Sequence, residues 1–179
     1  MGKAINDLKK EHDAILHVLR LMERIRDNDK IDDSVRFRTY SDLVYFLRIF
    51  ADKCHHGKEE GILFKELENA GIPNEGGPIG VMLAEHVQGR EYIGEMASAL
   101  ETNDFSEFNE ALAMYSDLLR NHIDKENNVL FVMADKLLDV VKQDEIFEKF
   151  EQHEEEVIGH GVHEELHMMI HRWDELPHM

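Results

Sequence analysis

Residues 105–133 read FSEFNEALAMYSDLLRNHIDKENNVLFVM. Along them Phe108, Leu112, Tyr115, Leu119, His122, Glu126, Val129 and Met133 recur at steps of three and four. That is the period of an α-helix with one inward face, and no strand alternates in this way. Two members of the stripe are polar. His122 and Glu126 lie four apart, so they project from the same face one turn apart, where leucines would be expected. A buried carboxylate is costly unless it is paired or binds a cation.

The pattern recurs on both sides of this stretch. A first segment, about 3–26, carries Ile5, Leu8, His12, Ile15, Leu19 and Met22 in stripe register and ends in Asp27-Asn28-Asp29. A second runs from near Asp33-Ser34 to Asn69 and carries Phe46, Ile49, Lys53, His56, Glu60, Leu63 and Leu67, a stripe blemished by Lys53. The loop AGIPNEGGP closes it, and a third segment runs from Pro78 to near Leu100 with Ile79, Met82, His86, Gly89, Ile93, Met96 and Leu100. Thr102-Asn103-Asp104 offers caps for the fourth, 105 to about 138. A fifth, about 143–173, is disturbed by Gly159 and Gly161. The prolines stand at 73, 78 and 177, outside the periodic stretches, so nothing interrupts long helices. The expected fold is all-α. It is one domain over 1–179, an up-down-up-down four-helix bundle over about 3–138 with an additional C-terminal helix.

Charge narrows the function. Twenty basic residues against 38 acidic give a net charge of −18, which repels nucleic acid and anionic membranes and attracts cations. No run approaches the roughly 18 to 20 apolar residues that span a bilayer. The opening MGKAINDLKKEHD has no apolar core of a signal peptide. Cys54 is the single cysteine and cannot form an internal disulfide, which suits a reducing cytoplasm.

Six polar interruptions, His12, His56, Glu60, His86, His122 and Glu126, therefore stand where core leucines belong. In the run His55-His56-Gly57-Lys58-Glu59-Glu60 there is a choice, because His55 and Glu59 are also four apart. The stripe through His55 passes Tyr45, Arg48, Asp52 and Glu66 and reads as a solvent face; the stripe through His56 is mostly apolar. His56 and Glu60 are accordingly expected inward and His55 outward. Mixed imidazole and carboxylate ligands suit iron, manganese or zinc, and two carboxylates at one depth favour two ions.

With Glu11-His12-Asp13, His56 through Glu60 followed by Leu63-Phe64, Ala84-Glu85-His86 and HIDKENNVLF from His122, the chain resembles the hemerythrin-like family, also called the HHE cation-binding domain. The resemblance implies a non-haem di-iron centre, two iron ions bridged by carboxylates, that meets oxygen, peroxide or nitric oxide. There is a departure. Oxygen carriers of the family place a histidine four residues after the third-helix histidine, where this chain has Arg90, and an aspartate five after the last, where Glu126 comes at four. One iron is thus short of a nitrogen. His163 or His167 of the fifth segment, in a row with His160 and His171, is the expected supplier or a group behind one. The run HEELH at 163–167 matches a zinc-protease pattern, but no third ligand follows it. Binding or sensing of a small ligand, peroxide or oxygen chemistry, and iron storage or repair all share this ligand set; Arg90 weakens the carrier version and favours reactive-species handling.

Overall fold

The computed structural model describes residues 1–159 and 161–176, with the side chain of His163 outside that description. Six helices hold most of the described residues, and none of the described residues is strand. They are α1 (Lys3–Arg26), α2 (33–69), α3 (Pro78–Glu101), α4 (105–137), α5 (Val140–Val157) and α6 (Val162–Glu175). No described helix is long and apolar enough to cross a membrane.

Local chemistry sets the ends. Asp32 accepts hydrogen bonds from the Ser34 and Val35 amides at the start of α2, Asp104 from Glu107 at the start of α4, and Asp139 from Lys142 at the start of α5. Pro78 opens α3, where its missing N–H costs nothing. The expected C-terminal segment is two helices. Gly159 (φ 82°) and Gly161 (φ 90°) take left-handed backbone between them, a conformation that side chains with a Cβ avoid.

Two of the long helices are not α-helical throughout. In α2, Leu47–His56 and Glu59–Leu63 are π-helical, and in α4 so is Glu126–Leu130. A π turn bonds five residues back instead of four, so it holds more residues per turn and shifts every later side chain around the axis. This corrects the expected stripes. Those of α1 and α3 are buried as predicted. In α4, Val129 is 52% exposed and Leu130 is buried in its place. In α2, Lys53 is exposed while Ala51 and Cys54 are buried, which removes the blemish.

The core is in two parts. One holds Ile15, Leu19, Phe46, Ile93, Tyr115 and Trp173 among others, and the second holds Leu8, Leu63, Phe64, Met82, Leu130 and Phe131. Along each of α1–α4 a polar group lies between them: His12 between Leu8 and Ile15, His55 and His56 between Ala51 and Leu63, His86 between Met82 and Ile93, His122 and Glu126 between Leu119 and Leu130. α5 seats Ile146 and Phe150 in the second part. It approaches α2 so closely that a Cβ on Gly57 would lie 2.6 Å from His153 Nε2, which donates to the Lys53 carbonyl at 2.9 Å. α6 seats Leu166, Met169 and Trp173 in the first part.

Candidate metal centre

The polar layer contains two overlapping groups of potential metal ligands. His56, Glu59, His86 and His122 form one, and His12, His55, Glu59 and Glu126 the other; within each group one ligand atom per residue lies within 4.8 Å of the rest. All seven residues are buried. Glu59 belongs to both groups, with Oε1 3.5 Å from His55 Nε2 and Oε2 3.3 Å from His86 Nε2. Glu126 Oε2 stands 3.1 Å from His12 Nε2 and 3.3 Å from His122 Nε2, joining one residue of each group.

The imidazoles are held from behind. Nδ1 of His55 faces Glu11 (2.8 Å), that of His86 faces Glu60 (2.8 Å), that of His122 faces Glu85 (2.9 Å), and that of His12 faces the amide oxygen of Asn127 (3.0 Å). Asp52 lies 3.4 Å from His56 Nδ1. With Nδ1 of His12, His55, His86 and His122 donating outward, these rings turn Nε2 into the layer, where the Nε2 atoms of His86 and His122 lie 3.2 Å apart. Inside, Nε2 of His12, His55 and His56 and all four carboxylate oxygens of Glu59 and Glu126 have no aligned hydrogen-bond partner. Each such orphan costs about 1–3 kcal/mol when buried. Lone pairs that converge and leave one another unsatisfied are a donor set for cations, so these residues fit a metal centre.

A family model for the Hemerythrin HHE cation binding domain matches residues 3–134. The chain belongs to this family. No curated protein and no solved structure matches it.

Within this HHE domain the second helix departs from its expected register. His55, expected outward, is 1% exposed and its ring centroid lies 4.6 Å from that of His12. Glu59, not Glu60, points into the layer; Glu60 has a side chain 30% exposed and lies behind His86. The π turns are the physical reason. They narrow the angle between neighbouring side chains, so adjacent His55 and His56 both reach the interior and Glu59 follows His55. Of the residues singled out in the sequence, His56, His86 and His122 lie in the first group and His12 and Glu126 in the second. The nitrogen that Arg90 does not supply has a counterpart in His55, from within the bundle. His167 is on the exposed face of α6, because Leu166, Met169 and Trp173 turn the other face into the core; His163 lies outside the described side chains.

Electrostatics follow from burial and the two carboxylates. Burial pushes His55 down to about 3 against the pull of Glu59. Burial also opposes charge on His122, but Glu126 and Glu85 outweigh it and lift the group to about 10. Burial would raise Glu126, yet His122 and His12 hold it well below the usual carboxylate range. Without metal, a proton on His122 beside Glu126 therefore takes part of the cation's place. The walls toward the second core are aromatic: Phe131 stacks on His12 with centroids 5.3 Å apart, and Phe64 on His86 at 5.9 Å.

Proposed function

We propose that this chain is a non-haem di-iron protein that binds or reacts with oxygen, peroxide or nitric oxide at the histidine–carboxylate layer. The observation that carries the reading is the place of Glu59 in both ligand groups, since one carboxylate facing two sets of imidazoles calls for two cations. His56, His86 and His122 would hold one ion, His12 and His55 the other, with Glu59 and Glu126 shared. Imidazole with carboxylate is a donor set that iron favours, and membership of the HHE family adds weight to iron over manganese or zinc. Bound iron would supply an electrophilic, redox-active centre.

The chain's own residues do the rest. The outer carboxylates orient the rings, Phe64 and Phe131 keep water from two of them, and the acidic shell draws in cations. Two imidazoles against three makes the His12–His55 side the place for a small ligand. The reading takes α1–α4 as an up-down-up-down frame, as their short connections favour, in a reducing cytoplasm where Cys54 stays a thiol. Burial of all seven ligand groups speaks for chemistry at a retained centre rather than for a reservoir that hands iron on.

Metal analysis and the absorption spectrum of aerobically purified protein test this. Two irons per chain with oxo-to-iron charge-transfer bands, perturbed by nitric oxide after reduction, are expected; one ion per chain, or none, would sink the reading. Loading the chelated protein at pH 7 should also release protons. His122, held up near 10, carries one there, and a metal takes only its neutral form.

A further inference from the structure

Behind the imidazoles the helices repeat one arrangement. His55 and Lys58 of α2 both hold Glu11 of α1, with Lys58 Nζ 2.7 Å from Glu11 Oε1. His86 and Arg90 of α3 both hold Glu60 of α2, with Arg90 Nη2 2.7 Å from Glu60 Oε1. His122 and Lys125 of α4 both hold Glu85 of α3. In each case a cation one helical turn after the histidine grips the carboxylate that the histidine uses, and that carboxylate comes from the preceding helix. Arg90 Nε also binds Asp52 at 2.8 Å, the carboxylate nearest His56 Nδ1. The remaining ring closes the circuit differently. His12 of α1 holds Asn127 of α4, an uncharged amide, and one turn on stand Ile15 and Leu16. So wherever the backing group is charged a cation offsets it, and where it is neutral there is none. Lys58 also faces Asp7 and Glu154, both at 3.2 Å.

We infer that Lys58, Arg90 and Lys125 are positioning residues that set the reduction potential of the metal centre by offsetting the carboxylates behind its imidazoles. This rests on the di-metal reading above. A carboxylate behind Nδ1 makes the ring a stronger electron donor and stabilises the oxidised metal; a cation on that carboxylate withdraws the effect and adds positive charge nearby. Both act in the same direction. Removing the cation therefore lowers the potential.

The test uses the full-length, metal-loaded chain with Arg90→Gln, Lys125→Gln and Lys58→Met, reading metal content and midpoint potential by spectroelectrochemical titration. Each variant is expected to keep its metal and to titrate at a lower potential than the parent. The shift should be largest for Lys58, whose side chain is 1% exposed, and smaller for Arg90 and Lys125 at 39% and 41%, where water screens the charge. Arg90→Lys and Lys125→Arg should restore the parent value. Should Lys58→Met fail to fold, the two exposed positions still decide. Unchanged potentials with full metal in Arg90→Gln and Lys125→Gln would overturn the inference, as would metal loss in both that the Lys and Arg replacements do not repair, since that is the mark of a packing role. A parent protein without two metals is a different result, and defeats the preceding reading instead.

Discussion

Glu59→Gln is expected to strip the protein of both metal ions, whereas Glu60→Gln keeps them. Glu59 is the one residue common to the two ligand groups, fully buried, with neither oxygen hydrogen-bonded. An amide there cannot neutralise two cations. Glu60 works from outside, on His86 Nδ1 and Arg90, and an amide oxygen can still accept from the ring. His55→Ala should fall between the two and lose one ion, because the second group is left with His12 as its one imidazole beside the two carboxylates. The stability effect is large as well. Metal at a thousandfold above its Kd adds about 4 kcal/mol, all of it absent from Glu59→Gln. Once the parent is chelated, the melting temperatures of parent and variant should converge. Metal content after gel filtration and thermal unfolding with and without chelator are the measurements. A protein that loses metal with Glu60→Gln and keeps it with Glu59→Gln would restore the uninterrupted α-helical register of α2.

Trp173→Ala should cost about 3–5 kcal/mol, the usual penalty for emptying a large buried aromatic site, and leave the metal spectrum unchanged. Trp173 is 1% exposed, meets Phe46 edge-to-face at 5.7 Å, and is the anchor of α6 on the first core. His167→Ala, on the exposed face of the same helix, should leave both stability and spectrum nearly as they were. Denaturant titration beside absorption spectroscopy separates the two effects. If His167→Ala shifts the charge-transfer bands and Trp173→Ala barely changes stability, α6 serves the metal centre rather than the core.

The sequence was most legible where the helices are regular. In α1 and α3 a period of three and four residues placed His12 and His86 and every stripe neighbour on the buried side. It misled in α2 and α4, where the same count assumes four-residue hydrogen bonds and the backbone makes five-residue ones. A π segment has no composition of its own. Here its traces were the Lys53 blemish in one stripe and the doublet His55-His56 with two carboxylates three and four residues on. The second signal missed was the cation one turn after a histidine, as in His55-x-x-Lys58, His86-x-x-x-Arg90 and His122-x-x-Lys125. That spacing was readable. The carboxylates it grips come from the preceding helix, and only the packed structure shows which they are.

The division of the core also governs how the molecule opens. The buried cluster around Phe46, Tyr115 and Trp173 is separate from that around Leu8, Phe64 and Phe131, and a layer of charged and polar side chains lies between them. With ions bound, that layer would tie four helices together at their middles and make the bundle one cooperative unit. After chelation it becomes a seam, and fluctuations at one end are no longer transmitted to the other. Amide hydrogen exchange should then resolve two protection levels, one for each half, that merge into one when metal is restored. A single level in the chelated protein would mean that the backbone of the long helices alone is stiff enough to couple the halves. The metal centre would on this view be both the reactive site and the element that lets a bundle with a polar middle unfold as a single body.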